Sequence, residues 1–310
     1  MGRFLLVRLG QMVPVLLGIT LLIFFLTTVA LGDPARARMG QRADPEVVAR
    51  LRADFGLDRP LWERYVRYIG RLLRGDLGTS FRQARPVTTV IVERLPATIR
   101  LAVAATLIAM VLGGAAGVVA AVKHNRFTDL TMMILALVGI STPVFWLGMM
   151  LILCFAVLLR WFPISGYGGG DLAHLVLPAV TLGMAQAGVV ARMTRSALLE
   201  VLREDYIRTA RAKGLRERMV ILKHALRNAC LPILTLAGIG FGDLLVGAPL
   251  TETVFAWPGL GRLLVAGVGN RDLPVVMGAT LFFALIYLIA NLIVDLGYAL
   301  VDPRIRLDRR

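Results

Sequence analysis

Uncharged apolar residues form six long blocks along the chain, and charged residues are concentrated in the segments between them. A helix needs about 20 apolar residues to cross the roughly 30 Å hydrocarbon core of a bilayer, and each block reaches that length. The pattern therefore predicts an all-α integral membrane protein with six transmembrane helices. The blocks are residues 9–31, 101–122, 130–159, 172–191, 229–251 and 273–301.

Several residues within the blocks predict how the helices bend and pack. The third block is long enough to require a tilt or a bend, and Pro143 is the expected cause of a bend. Gly113 and Gly117 form a Gly-x-x-x-Gly pair, which predicts close approach of a neighbouring helix. Cys154 and Cys230 lack the spacing of metal ligands or of a disulfide framework, which favours a role as small apolar residues.

The basic residues predict that both chain termini are cytoplasmic. Short cytoplasmic loops carry an excess of Lys and Arg, whereas segments as long as 32–100 translocate largely regardless of charge. Arg3 and Arg8 precede the first block, as in a signal peptide, but the block is too long and no Ala-x-Ala site follows it, so a retained anchor is expected. With the N-terminus inside, a net charge of +11 falls on the inner segments 1–8, 123–129, 192–228 and 302–310, while 160–171 and 252–272 are neutral.

The blocks divide the chain into three parts. Residues 1–31 form an N-terminal segment with the first helix, 32–100 an extracytoplasmic amphipathic segment, and 101–310 a core domain with five helices. Within the outer segment, one amphipathic helix is expected to start at residues 44–45 and another to run over 60–72. Such helices would lie on the membrane surface or over the outer mouth of the protein.

The composition agrees with a membrane location and excludes other classes of protein. Of 310 residues, 57% are hydrophobic and 18% charged, against about 45–50% apolar and about 25% charged in soluble domains. An ordinary soluble enzyme and a disordered basic tail are therefore excluded. Most of the net charge of +15 lies on the segments expected on the inner side of the membrane. The charge therefore indicates orientation in a lipid bilayer, which is the expected partner, and no binding of nucleic acid.

The most informative charged segment is 192–232, which begins at Arg192 and closes at Leu231-Pro232. Residues 204–214 predict a short helix ended by Gly214, with acids in its first turn and bases in its last, as the helix dipole favours. A second helical stretch is expected over 216–228. Two short helices joined at a glycine would form a knob that projects from the membrane.

This segment resembles the Glu-Ala-Ala…Gly…Leu-Pro coupling loop of ATP-binding-cassette (ABC) importers, which docks into a cleft of the cytoplasmic ATPase. Arg208 and Thr209 stand where the general pattern has Glu and Ala, and this departure is similar to the peptide/nickel subfamily. The resemblance assigns ATPase coupling to Asp205, Tyr206, Arg208, Thr209, Ala210, Ala212, Lys213, Gly214, Leu231 and Pro232.

Six further segments resemble the first permease subunit of this subfamily, in the same order along the chain. The resemblance implies the type I ABC importer permease fold in the bacterial inner membrane, a second permease, two ATPase subunits and an extracytoplasmic binding protein. Because the chain has no Gly-x4-Gly-Lys-[Ser/Thr] phosphate loop, it implies that ATP and Mg bind the partner subunits and that this chain binds no cofactor. The segments are 32–35, 55–61, 75–80, 139–148, 255–261 and 302–306.

The substrate class implied by the resemblance is di- or oligopeptides, with nickel chelates and glutathione as alternatives. His124, His174 and His224 are scattered over loops and helix ends and do not predict a metal site within a span. A stand-alone secondary transporter, driven by an ion gradient, is an alternative of another class.

Two carboxylates within the spans, Asp243 and Asp295, are costly in a bilayer and therefore candidates for function. Gly240-Phe241-Gly242-Asp243 also matches the Gly-x-Gly-Asp of intramembrane aspartyl proteases, which would make the chain an enzyme. The second aspartate follows that motif instead of preceding it, and a protease needs no docking knob, so a non-catalytic transport subunit is favoured. Candidates for lining the translocation path are Asp243, Pro143 and Asn291.

Overall fold

A computed structural model describes residues 2–30, 58–246 and 248–301, with side chains for 6–28, 58–246 and 248–293. Within these ranges the chain is helical apart from turns and one isolated β-bridge, between Thr79 and Pro86. The helices are α1 (Gly2–Ala30), α2 (Leu61–Leu72), α3 (Val87–Val122), α4 (Phe127–Ser141), α5 (Val144–Leu158), α6 (Leu172–Val201), α7 (Asp205–Ala212), α8 (Glu217–Leu245), α9 (Pro249–Val254), α10 (Leu260–Gly269) and α11 (Leu273–Val301).

The predicted spans correspond to helices, and several bounds differ from the apolar blocks. Among the described residues, five helices are long and apolar enough to cross a membrane, and six if the bent pair α4–α5 counts as one span. The sixth block has the same bounds as α11, whereas α1 starts at Gly2, before the first block. Helix α3 starts at Val87 instead of 101, and α6 continues to Val201 instead of 191, because polar residues at the ends extend each helix beyond its apolar block.

The third span is broken at the proline. Helix α4 ends at Ser141, Thr142 and Pro143 adopt extended backbone angles, and α5 leaves at 101° to α4. The expected bend at Pro143 is confirmed, and it is sharper than a tilted single helix would need. Proline restricts the preceding residue to extended geometry and cannot donate the helical hydrogen bond, so one helix ends and the next begins there.

The fifth span begins earlier and ends earlier than predicted. Helix α8 starts at Glu217, passes through a π-helical stretch at Val220–Ala225 and ends at Leu245, so the block 229–251 is displaced from the observed helix. The second short helix expected at 216–228 is wrong as a separate element, because its backbone is continuous with the span. Residues 249–254 form the short helix α9 instead of the end of that span.

Helices α3 and α6 pack closely against each other through glycines. A side chain at Gly113 or Gly117 of α3 would overlap with the backbone carbonyls of Ala187 and Ala191 on α6. In the opposite direction, a side chain at Gly183 of α6 would overlap with Ile108 and the Ala105 carbonyl of α3. The packing predicted from the Gly-x-x-x-Gly pair is confirmed, and α6 contributes glycines of its own.

The outer helix α2 lies against the N-terminal helix. The ring of Phe24 contacts Tyr65 at a centroid distance of 5.4 Å and Tyr68 at 6.1 Å, and the Tyr65 and Thr20 hydroxyls are 2.9 Å apart. Burial raises the pKa of Tyr68 to about 12, so its ring packs as a neutral group. The helix expected over 60–72 is confirmed, whereas the one expected from 44–45 lies outside the described residues.

The segment between α2 and α3 is fastened to the turn that precedes α11. Asp272, 4% exposed, accepts hydrogen bonds from the Ser80 hydroxyl at 2.5 Å and from the backbone N–H groups of Phe81 at 3.1 Å and Arg82 at 3.3 Å. A carboxylate that accepts several N–H and O–H groups fixes a loop at one position. This contact explains the motif at 75–80, whose last residue is Ser80.

We expect Gly113→Ala to destabilise the protein and Gly114→Ala to leave it as stable or make it more stable. Both changes improve helix propensity by about 1 kcal/mol, but only at Gly113 does the new methyl group overlap with α6, which costs about 1–3 kcal/mol. At Gly114, nothing lies within 4 Å of the added carbon. Thermal unfolding of the two purified variants in detergent tests this, and equal midpoints would contradict the packing.

Candidate functional site

The predicted short helix of the charged loop is present as α7 and ends in a specific cap. Its first turn carries Asp205 and its last turn Arg211, each at the end that the helix dipole favours. Gly214 adopts φ = 73°, its N–H donates to the Arg211 carbonyl at 2.9 Å, and the Leu215 N–H donates to the Ala210 carbonyl at 3.4 Å. These two bonds form a Schellman motif, in which glycine is favoured because its conformation is left-handed.

One face of α7 is buried against the adjoining ends of the long helices. Ile207 is 0% and Ala210 7% exposed, and both pack with Leu198 of α6, Val220 of α8 and Ala121 of α3 in one apolar cluster. Leu215 contacts the same cluster and anchors the residue that follows the glycine. The knob, residues 202–216, is therefore attached to three spans at once and is not a free loop.

Polar contacts join the knob to the start of α8. Arg211 donates two hydrogen bonds to the Glu217 carboxylate, at 2.7 and 3.2 Å, across the turn at Gly214. The Asn228 amide donates to the Tyr206 hydroxyl at 2.6 Å, and the Thr209 hydroxyl donates to the Asp205 carbonyl at 3.0 Å. These bonds within the chain fix the side chains around the turn.

The outer face of the knob presents most of the residues assigned to coupling. This knob face consists of the exposed residues Asp205, Tyr206, Arg208, Thr209, Ala212, Lys213 and Gly214. Ala210 instead faces inward, because it lies three residues from buried Ile207 on the same side of the helix. Leu231 and Pro232 lie within α8 and do not close a loop, so the predicted segment 192–232 is mostly helix and only the knob leaves the bundle.

A buried ion pair connects α4 to α6 a short distance along the chain from the knob. Asp129, 4% exposed, receives hydrogen bonds from Arg195 Nε at 2.7 Å and Nη2 at 2.8 Å, and from the Asn125 backbone N–H at 3.0 Å. His124 lies against the same pair, with its Nδ1 3.1 Å from the guanidinium. The two-pronged geometry suits arginine and holds the start of α4 to the end of α6.

A cleft of about 160 Å³ lies between α3, α6 and α8, and Asp243 lines it. Its polar wall also contains Thr106 of α3 and Gln186 of α6, and the remaining lining is apolar. The Gln186 amide donates to the Gly240 carbonyl at 2.9 Å, which a side chain at Gly240 would prevent by overlapping with Gln186. The cleft is level with the middle of α3 and α6, although Asp243 stands near the end of α8.

The other candidates for the path lie elsewhere. Pro143 forms the turn between α4 and α5, and Asn291 lies on α11, half-buried; neither lines the cleft. The side chain of Asp295 lies outside the described residues. Among the side chains that the structure describes, no group of three or more His, Cys, Asp and Glu is placed to hold a metal ion.

The sequence reasoning missed the most deeply buried carboxylate, Glu252 of α9. It is 0% exposed and accepts hydrogen bonds from the Thr98 hydroxyl at 3.1 Å and the Arg262 backbone N–H at 2.8 Å. Side chains at Gly259 or Gly261 would overlap with or press on this carboxylate. The glycines of the 255–261 motif are therefore needed so that Glu252 can cap the N-terminus of α10.

The tryptophan of the same motif fixes α9 to α3. Trp257 is 1% exposed, its indole N–H donates to the Ala97 carbonyl at 3.0 Å, and its ring meets Tyr167 edge-on at 4.9 Å. Asp171, which lies outside the spans, caps α6. The backbone N–H of His174 donates to the Asp171 carboxyl and holds its pKa below the usual value.

In the sequence, the only available signal for the buried Glu252 was an acid placed seven residues before a glycine-rich turn.

Solved structures share this fold. The inward-facing MetNI methionine ABC transporter matches with a TM-score of 0.53 and 20% identity over 66% of this chain and 95% of that chain. An amino acid ABC transporter matches with a TM-score of 0.52 and 17% identity over 68% of this chain and 93% of that chain. The described chain therefore has the all-α membrane fold that these ABC transporter chains share.

Curated relatives match the chain from end to end. The dipeptide transport system permease protein DppB of Escherichia coli (strain K12) is 45% identical over 99% of both chains. The glutathione transport system permease protein GsiC of Salmonella paratyphi A is 46% identical over 99% of both chains. The di/tripeptide transport system permease protein DppB of Pseudomonas aeruginosa is 43% identical over 97% of this chain and 98% of its own.

Two family profiles cover nearly the whole sequence. The binding-protein-dependent transport system inner membrane component matches residues 113–307, and the N-terminal component of the same systems matches 1–102. The chain therefore belongs to this family of inner membrane transport components, as a DppB-like ABC importer permease. It is a multi-pass, non-catalytic membrane subunit, and this assignment replaces the alternative of an intramembrane aspartyl protease.

We expect Asp129→Asn to lower the free energy of unfolding far more than Glu93→Gln. Losing one partner of a buried pair costs about 3–5 kcal/mol, with the lower end expected because the Arg195 side chain keeps 26% exposure. The Glu93–Arg85 pair has 51% and 46% exposed side chains, and exposed pairs contribute about 0–1 kcal/mol. Thermal unfolding in detergent measures both, and equal losses would contradict the structural role of the buried pair.

Proposed function

We propose that this chain forms the translocation path of an ATP-driven, binding-protein-dependent importer of di- and oligopeptides, together with a second permease. The observation that supports this best is the end-to-end similarity to relatives named for dipeptides, di/tripeptides and glutathione, which are all peptides. Glutathione is the second candidate substrate, because the relative named for it is 46% identical. Nickel chelates are the third candidate substrate, as for an importer permease of the same family.

The energy for transport would come from partner subunits. We place ATP and Mg in two cytoplasmic ATPases that dock on the knob face, and we assign substrate delivery to an extracytoplasmic binding protein. An exposed helix of eight residues, preformed by its cap and by the Arg211–Glu217 and Asn228–Tyr206 bonds, provides a rigid surface for docking. Preformed surfaces bind without the entropic cost of ordering a loop.

The attachment of the knob suggests how a push is transmitted. Ile207 and Ala210 pack on the ends of α3, α6 and α8, so a displacement of the knob moves these three helices together. The Asp129–Arg195 pair adds α4 to the moving group. Closure of the ATPases would thus tilt one rigid set of helices against the second permease and switch the path between inward- and outward-facing states.

Both termini and the knob are assigned to the cytoplasm in this proposal. The assignment is supported by the net charge of +6 on residues 192–228, the largest excess on any inner segment. The segments around α2, Ser80 and Asp272 would then face the binding protein on the outer side. The predicted parts 1–31, 32–100 and 101–310 keep their order in this arrangement.

We expect Gly214→Trp to abolish association with the ATPases while membrane insertion persists. No atom lies within 4 Å of a side chain added at Gly214, so the indole would project from the knob face into the partner instead of into the protein. Co-purification of the ATPases with the affinity-tagged complex, expressed with its own partner subunits, measures the loss.

Gly75→Trp is the matched control. Gly75 ends α2 with the same pair of backbone bonds, has φ = 76° and also has nothing within 4 Å of an added side chain. Both variants therefore carry the same left-handed strain of about 1–2 kcal/mol, and only the site differs. Retention of the ATPases by Gly214→Trp, or equal loss in Gly75→Trp, would refute the docking assignment.

Cysteine labelling is expected to place the knob and the Ser80 segment on opposite sides of the membrane. In a background with Cys154→Ala and Cys230→Ala, Lys213→Cys should react with a membrane-impermeant maleimide only in inverted vesicles. Gln83→Cys, which is exposed next to Ser80, should react in intact spheroplasts. The reverse pattern would invert the proposed topology.

A further inference from the structure

The cleft between α3, α6 and α8 contains hydrogen-bond acceptors that the protein itself leaves without donors. In the described part of the chain, no hydrogen bond or ion pair reaches the Asp243 carboxylate. The Thr106 hydroxyl also lines the cleft, and it is one of four buried side-chain oxygens in the described chain without a hydrogen-bond partner, with those of Tyr68, Thr128 and Thr194. Gln186 donates its amide N–H to the Gly240 carbonyl, which leaves its carbonyl oxygen as a third acceptor at the same cleft.

The Asp243 side chain is exposed, and in this it differs from the buried carboxylates of the protein. Asp129, Glu252 and Asp272 are each 4% exposed or less, and each accepts at least two hydrogen bonds. An ionisable side chain within a span is costly and marks a candidate functional site, and Asp243 presents its carboxylate at the cleft without a partner from the described chain. The cleft therefore has the composition of a binding site for a cationic donor.

The number and charge of the acceptors fit a primary ammonium group. An ammonium carries three N–H donors, and the cleft offers a carboxylate, a hydroxyl and an amide oxygen. The α-amino group of a peptide has an ordinary pKa of about 7.7–8.0, so it is mostly protonated at neutral pH. The remaining lining, which includes Met110, Val190 and Leu236, is apolar and suits the side chain that follows the amino group.

We propose that this cleft binds the free N-terminal ammonium of a peptide substrate, with Asp243 as the charge partner and Thr106 and Gln186 as further acceptors. The inference rests on the proposed function of peptide import and adds a site of recognition within the permease itself. A cavity of about 160 Å³ admits the terminal residue and not a whole peptide. Recognition would thus concern the feature that all unmodified peptides share, independent of their sequence.

The test is uptake of radiolabelled Ala-Ala by the complete importer in proteoliposomes, with wild-type binding protein in every sample. Asp243→Asn removes the charge at constant size, and uptake of Ala-Ala is expected to fall about 10- to 100-fold. Asp243→Glu keeps the charge, and uptake is expected to stay within about threefold of wild type, since only the reach of the carboxylate changes. Thr106→Val should lower uptake about fivefold through loss of one neutral acceptor.

Two comparisons separate recognition from a structural effect. Thr131→Val, in α4, removes a hydroxyl that bonds the Phe127 carbonyl outside the cleft, and uptake should be unchanged. Uptake of N-acetyl-Ala-Ala, expressed relative to wild type on the same peptide, should change less than about twofold in Asp243→Asn because this peptide has no ammonium to lose. Association with the ATPases and basal ATP hydrolysis should remain at wild-type levels in the Thr131→Val control.

Equal uptake of Ala-Ala by the Asn and Glu variants would overturn the assignment of Asp243 as charge partner. Equal relative losses for the free and acetylated peptides would overturn ammonium recognition, while leaving peptide import intact. Failure of the wild-type complex to import any peptide would refute the proposed substrate class, and this inference with it.

Discussion

The contact on which the fold depends is the glycine-mediated approach of α3 and α6. In a bilayer, apolar side chains gain little by leaving lipid for protein, so helices associate through close van der Waals contact. Gly113 and Gly117 on one helix and Gly183 on the other let the two backbones touch. Because α6 also contacts α4 and α8, the position of this pair determines where the knob emerges and where the cleft opens.

Buried carboxylates fix the ends of the helices in a complementary way. Asp129 joins α4 to α6, Glu252 caps α10 and meets α3, and Asp272 holds the segment before α3. Each carboxylate replaces its water shell with several N–H or O–H donors, which is the condition under which burial of a charge is tolerated. Asp243 is exposed and lacks such donors within the described chain, so its carboxylate is accessible to a ligand.

The knob illustrates how a short helix becomes rigid enough to transmit force. A helix of eight residues is marginally stable in isolation. Here it is stabilised by three kinds of contact: the Schellman cap at Gly214, the burial of Ile207, and the hydrogen bonds to Glu217 and Asn228. The exposed residues are then free for a partner. The two faces of α7 thus have different roles: the apolar face fixes the helix to the bundle, and the polar face is exposed.

The amino-acid sequence by itself determined the membrane class, the number of spans, the bend at Pro143, the glycine packing and the capped helix of the knob. These features follow from local rules: length of apolar runs, proline geometry, and residues four apart on a helix. Only the tertiary structure decided that 217–228 continues into α8, that Ala210 faces inward and that Glu252 is buried. It also brought Thr106, Gln186 and Asp243 to one cleft. The burial of Glu252 and the assembly of the cleft depend on contacts between residues more than 50 positions apart, which no local pattern encodes.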